Sequence, residues 1–366
     1  MVKQHHFRPG HYSRLLRWGL SRDSQAVPHL VGMLVSAVAT VLITRAILAA
    51  TGYPQVGGKT LHIAHVLWGG LLMILAMLLL LSFIGPVVRP LAAVVAGVGF
   101  GLFIDEVGKF VTSQNNYFYR PAPAIIYVIL MLLALFINAL HGHRQRHRAE
   151  YLAGALDQTI AGVAGGFTRE RRAAAQQLLA RASGAVGAVE TTALLAAIPE
   201  DPYELADPLQ AVRTFKHRFF DRLVRQRLVR AAAVVVLVVE SGYVVQGLGA
   251  QLYNRLLDGG VDLAVVQAKS ASTAILLLGT VTATATGVLV VIGLIRLTVN
   301  PAAAFGFFHH ALLVNLLLTR VFQFEVQQFT TVLFVVADLL LLAVVSGERA
   351  HLRRRTPTTM SLPTVS

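Results

Sequence analysis

Eight stretches of this chain are each roughly 20 residues long and almost purely apolar, the length an α-helix needs to cross ~30 Å of hydrocarbon. They run approximately Pro28–Ala50, Leu61–Phe83, Val88–Thr112, Ala124–His141, Val229–Leu248, Ser272–Leu297, Pro301–Val321 and Val326–Ser346. In lipid a segment must satisfy its own backbone hydrogen bonds, so the predicted fold class is all-α: a polytopic helical membrane protein. The third and fifth stretches are interrupted by charge, at Asp105 and Glu106 and at Glu240. Only 14% of the 366 residues are charged, against about 25% in soluble domains, which excludes an ordinary soluble protein. The lipid bilayer is the first partner expected.

The 32 basic against 18 acidic residues would suit a nucleic-acid binder until their positions are read. With eight spans and the N-terminus inside, the inner segments hold Lys3, Arg8, Arg14, Arg17, Arg22, Arg89, a large central set of arginines, Arg296, Arg349 and Arg353–Arg355. The outer loops hold Lys59, Arg120, Arg255 and Lys269. This asymmetry predicts a multi-pass membrane protein with both termini cytoplasmic, and no nucleic-acid partner. The long, polar, basic stretch before the first helix lacks the short apolar core and small-residue cleavage site of a signal peptide, so that helix is expected to be retained. Because the chain has no cysteine, disulfides, thiolate metal sites, iron–sulfur clusters and cysteine nucleophiles are all excluded.

The expected organisation is a basic segment (1–27), four spans (28–141), a polar insertion (142–228), four more spans (229–346) and a basic tail (347–366). The insertion reads as a helical domain on the cytoplasmic face. Tyr151, Leu152, Ala155, Leu156, Ile160 and Val163 recur at helical spacing, Gly165–Gly166 is a stop, and a second helix follows Thr168. Asp207 then Pro208 reads as an N-cap and first helical residue, opening an apolar face of Leu209, Val212, Phe215, Phe219, Phe220, Leu223 and Val224. A cytoplasmic protein partner would bind here.

Ionisable groups at membrane depth cost from about 2.5 kcal/mol upward and mark bundle interiors or hydrated cavities. His62 and His65 share a helical face at the mouth of the second span, a face that Trp68 and Gly69 continue. In the third span Ala93, Gly97, Gly101 and Asp105 recur every four residues, a small-residue stripe that admits a neighbouring helix and ends on a carboxylate. Depth places Arg45, Arg320, Glu325, Gln327 and Gln328 in the same outer layer as His62, His65, Asp105, Glu106 and Lys109. Such a layer suits proton transfer or transport; His62, His65, Asp105 and Glu106 would also suit a divalent metal; and Arg45 and Lys109 would pair with the two acids if the layer is structural. A secondary group is His309, His310 and Asn315 in the seventh span, with Glu240 in the fifth and Asp338 in the eighth. Adjacent histidines project about 100° apart on a helix, so at most one faces a given ligand squarely.

Lys59, Thr60, Leu61 and His62 at the mouth of a span, followed one helix later by an acid in a Gly-rich apolar helix, resemble the VanZ-like class of small bacterial membrane proteins over about Lys59–His141. Gly58 and Lys109 depart from that pattern, where an acid and a Gln are usual. The resemblance implies a bacterial envelope protein and adds weight to His62 and Glu106. The expected function is a transport or proton-coupled membrane protein with an outward-facing polar site. The alternatives are an intramembrane metal-dependent enzyme acting on an envelope lipid, and a scaffold or sensor signalling through the insertion.

Overall fold

The computed structural model describes residues 18–51, 65–85, 88–112, 119–141, 146–165, 167–200, 227–257 and 263–355. All regular elements among them are helical: α1 (Ala26–Thr51), α2 (His65–Ser82), α3 (Val88–Asp105), α4 (Val107–Val111), α5 (Ala122–His141), α6 (Arg148–Gly165), α7 (Arg169–Arg181), α8 (Ala188–Ala197), α9 (Arg227–Leu257), α10 (Leu263–Leu297), α11 (Pro301–Val314), α12 (Arg320–Gln327) and α13 (Thr331–Arg355). A π-helical segment, Asn315–Thr319, joins α11 to α12, and a 3₁₀ turn, Gln328–Thr330, joins α12 to α13. Seven stretches are long and apolar enough to cross a membrane. The chain is therefore an integral membrane protein.

The seventh of those stretches, Pro301–Arg349, is 49 residues long and would measure about 74 Å as one helix, more than twice a hydrocarbon core. It is instead folded back on itself. Ser346 Oγ lies 3.2 Å from His309 Nδ1, and α11 packs against α13. The reversal falls at Gln328, whose φ of 52° makes it the only non-glycine residue with positive φ among the described residues. The stretch thus supplies two antiparallel rods, matching the seventh and eighth spans read from sequence.

The chain divides into two compact units, Met1–Tyr117 with Leu132–Arg213, and Phe118–Met131 with Thr214–Ser366. In the first, α3 is wedged between α1 and α2, and glycines on its two faces set both contacts. A Cβ on Gly97 would collide with the Met33 carbonyl, and one on Gly101 would come 2.6 Å from the Ala37 carbonyl. On the opposite side Gly99 and Gly69 meet backbone to backbone, a Cβ on either falling 2.6–2.7 Å from the other's carbonyl. Contacts rise together along α1 and α3 (Met33 with Gly97, Ala37 with Gly101, Arg45 with Asp105), so those helices run parallel. The spans buried by this packing are narrow: on α2 only Gly69 and Ala76 are buried, while Leu71, Ile74, Leu78 and Leu81 stay exposed, as suits a helix facing lipid.

Helices α6, α7 and α8 of the insertion enclose a small core of Leu152, Ala155, Phe167, Ala175, Leu179, Ala182, Leu195 and Ile198. The helix α6 stops at Gly165 and α7 starts on Thr168, whose hydroxyl accepts from Arg171 N at 3.4 Å. The apolar face of α6 is narrower than its periodicity predicts. Leu156, Ile160 and Val163 are exposed, because the packing partners cover only the side carrying Leu152 and Ala155. The Asp207–Pro208 cap and the face from Leu209 to Val224 lie outside the described residues. Two ion pairs tie α6 to residues flanking α1 and opening α3: Arg22 with Glu150 at 2.7 Å, and Arg89 with Asp157 at 2.7 Å.

In the second unit, α9, α10, α11 and α13 bury Leu237, Val290, Phe305, Phe308, Leu312, Leu341 and Val345. Asn300 caps α11, its Oδ1 accepting from Ala303 N at 3.1 Å, with Pro301 at the first helical position. Phe308 seats over Gly293, where a Cβ would strike its ring.

Candidate functional site

At the far end of α3 from Arg89, some 27 Å along an 18-residue helix, two consecutive carboxylates face different neighbours. The helix breaks at Glu106, which sits at φ −89° and ψ 10°, the sparsely populated bridge region. The break turns Asp105 toward α1 and Glu106 toward α2. Asp105 Oδ1 accepts from Arg45 Nε at 2.5 Å, and Arg45 Nη2 donates to the Asp105 carbonyl at 2.8 Å. Glu106 accepts from Lys109 Nζ at 2.7 Å and from the backbone N–H of Val66 at 3.2 Å, in the first turn of α2, where a helix N-terminus favours an anion. His65 Nδ1 is 3.4 Å from the same carboxylate.

Both acids are wholly buried, whereas the side chains of His65 and Lys109 keep 27% and 19% of their exposure. The arrangement is a buried carboxylate beneath two partly accessible groups that can carry a proton. The structure brings together Arg45 with Asp105, and His65 and Lys109 with Glu106. His62 lies outside the described residues. Arg320, placed in this layer by depth alone, has its partners elsewhere.

Those partners are the secondary group. Arg320, wholly buried, donates through Nε to Asp338 Oδ2 at 2.7 Å, through Nη2 to Glu240 Oε1, and through Nη1 to Gln323 Oε1. Asn315 Nδ2 donates to both oxygens of Asp338 at 3.1 Å. Phe334 lies under the guanidinium, 5.3 Å from its carbon to the ring centroid. Glu240, Asn315 and Asp338 therefore meet, as parts of one network. His309 and His310 do not join it. His309 meets Ser346, eight residues or about 12 Å along α13 from Asp338, and His310 Nδ1 contacts the Gly306 carbonyl at 2.7 Å. Their rings stand at 84° to each other, as adjacent helical positions require.

Sequence reasoning did not find Gln323 or Tyr127. The first carries a signal, since Arg320 and Gln323 are three apart on one helical face. The second carries none: Tyr127 donates to the Leu316 carbonyl at 2.5 Å, across 189 residues of sequence, at a π-helical turn.

Among the described residues no group of three or more histidines and acids is disposed to hold a metal ion. Two of the four candidate ligands, Asp105 and Glu106, are engaged by Arg45 and Lys109. No family model matches this chain, nor does any curated protein or solved structure. The VanZ-like likeness around residues 59–141 thus remains a likeness of a few residues.

Proposed function

We propose that this protein is a proton-coupled membrane protein, with His65, Glu106 and Lys109 forming a proton-relaying site on the extracytoplasmic side. The observation that carries the reading is the burial gradient at Glu106: a sealed carboxylate whose contacts to the exterior run through a histidine and a lysine that are themselves partly exposed. His65 Nδ1, 3.4 Å from the Glu106 carboxylate, is close enough to exchange a proton with it. The sidedness follows from the distribution of arginines and from the insertion lying at the opposite end of α3, where Arg89 meets Asp157. Arg45 with Asp105 is the rigid wall of the site, since the pair is charge-balanced and bonded to backbone as well as side chain.

The test is reconstitution into vesicles with an entrapped pH indicator, a potassium/valinomycin clamp and an inward pH gradient. Wild type should acidify the lumen faster than protein-free vesicles, with His65→Gln and Glu106→Gln returning the rate toward the protein-free value. Wild-type rates equal to protein-free vesicles, or variants indistinguishable from wild type, would overturn the proposal.

A second reading, a sensor or scaffold acting through the insertion, is favoured by the two ion pairs that dock α6 on the ends of membrane helices. Deleting Ala149–Asp207 should then abolish the cellular phenotype while membrane insertion is kept; an unaffected phenotype would remove this reading.

A further inference from the structure

The Arg320 network contains one charge too many. Two carboxylates, Glu240 and Asp338, share one guanidinium, and the only other titratable or charged group facing them among the described residues is the neutral phenol of Tyr127. With all carboxyls ionised, the pocket would carry a net charge of −1 where Asp338 and Arg320 are 0% exposed and Glu240 only 7%. Like charges held on one buried cation do not both ionise freely; a single proton shared by the pair resolves the excess.

The hydrogen bonding says where that proton sits. Both oxygens of Asp338 receive donors, from Asn315 and Arg320. Glu240 Oε1 receives Arg320, but Oε2 is sealed from solvent with no hydrogen-bond partner, the only carboxylate oxygen in that state among the described residues. Two other acids contrast with it: buried Glu150 takes Arg22 on both oxygens, and half-buried Asp157 takes Arg89 on both. No hydrogen-bond donor among the described residues reaches Glu240 Oε2.

A second, independent feature lies on the same helical face. In ordinary helical turns of this chain, threonine hydroxyls donate to the carbonyl four residues back, as at Thr40, Thr159, Thr280 and Thr286. Thr319, between Asn315 and Gln323 in four-residue steps, is wholly buried and its Oγ1 has no such bond. Thr319 closes the π-helical segment, from which Asn315 and the following Arg320 reach Asp338 and Glu240.

We infer that Glu240, with Asp338, Arg320 and Asn315, forms a proton-binding site in the second helical unit, loaded at neutral pH with one exchangeable proton on Glu240 Oε2. Releasing it leaves the buried net charge of −1; binding it restores neutrality. The site stands independently of the reading of Glu106.

Infrared difference spectroscopy on the full-length protein in lipid, between pH 6 and pH 9, tests this directly. Wild type labelled with ¹³C-glutamate should show an isotope-shifted protonated-carboxyl stretch that fades as the pH rises, and Glu240→Gln should lack it. Glu240→Gln should also flatten the fall in thermal midpoint that wild type shows toward pH 9, because Asp338 and Arg320 then balance at every pH. Absence of any glutamate carboxyl stretch at pH 6, or its persistence unchanged in Glu240→Gln, would overturn the assignment. The labelled wild type gives the first answer even if the variant does not fold. Failure of the Glu106 vesicle assay leaves this spectrum unaffected, so the two readings fail separately.

Discussion

Removing the arginine from the Arg45–Asp105 pair should be far more damaging than removing both charges. In the folded protein Asp105 is 0% exposed and the Arg45 side chain 13%, so Arg45→Met takes from a wholly buried carboxylate both the 2.5 Å contact to Oδ1 and the 2.8 Å clamp on its carbonyl. Two unit charges 4 Å apart interact by about 4 kcal/mol at an effective dielectric of 20. Breaking one side of a buried pair typically costs about 3–5 kcal/mol, because the remaining charge is desolvated without compensation. At ~2–4 °C per kcal/mol for a unit of 150–250 residues, the midpoint of detergent-solubilised protein should fall by on the order of 10 °C. The double variant Arg45→Met with Asp105→Asn removes the buried charge as well and should recover more than half of that loss. Thermal unfolding followed by size-exclusion fluorescence gives the four corners of the cycle. Equal midpoints for the single and double variants would refute the reasoning, since they would mean that Asp105 reaches water or another cation when Arg45 is gone.

Gly101→Val should prevent α1 and α3 from closing, because its Cβ meets the Ala37 carbonyl at 2.6 Å and Thr40 Cβ at 2.7 Å, whereas Gly70→Ala meets nothing within 4 Å; monodispersity on size exclusion compares them. A His309→Cys/Ser346→Cys pair, in a chain with no other cysteine, should cross-link and report the hairpin by a mobility shift, whereas a single straight helix would leave the two sites unlinked. Tyr127→Phe removes the donor to the Leu316 carbonyl and should cost about 1–3 kcal/mol of stability, read as a lower thermal midpoint. Docking of the insertion should weaken in acid through Glu150. Burial pushes that carboxyl up, but the Arg22 hydrogen bond and the His147 N–H outweigh it and hold it below its ordinary value, so its contribution is present above that value and lost as the pH falls through the lowered one. Asp157, raised chiefly by burial, contributes with the opposite sign, so Glu150→Gln should remove the acid-labile part of protection from proteolysis across α6–α8.

The helices were legible because the bilayer imposes a length and a composition that few other structures share. Where the apolar run is clean, as at α1 and α5, the sequence-predicted and observed ends differ only at the margins, whereas α10 begins at Leu263, nine residues before the expected Ser272. Legibility failed where a tertiary surface decides. The α6 periodicity marks six apolar positions as one face, yet only the strip with Leu152 and Ala155 meets α7 and α8. Periodicity reports which residues can be buried together; it does not report how wide the partner is.

The two polar sites differ in legibility for a related reason. Depth and opposite charge set Arg45 beside Asp105 in the sequence, and the four-residue stripe of small residues supplies the contact that makes the pair: Gly97 and Gly101 bring α1 within backbone contact, which leaves Arg45 at the height of Asp105. The Glu240 network has no stripe. Its members come from α9, the π-helical segment, α12 and α13, and depth alone does not pair Arg320 with Glu240 and Asp338, because a residue's height in the membrane says nothing about its azimuth. Azimuth is reset at the π-helical segment, where one widened turn shifts the phase between α11 and α12 and separates His309 from Asn315 and Arg320. A phase shift of that kind costs backbone hydrogen bonding and persists only where side chains fix it, which Asn315, Tyr127 and Arg320 do from three directions. The polar residues of this network, scattered in the sequence, are thus gathered at a π-helical irregularity that periodicity does not register, around the carboxyl that has more charge neighbours than donors.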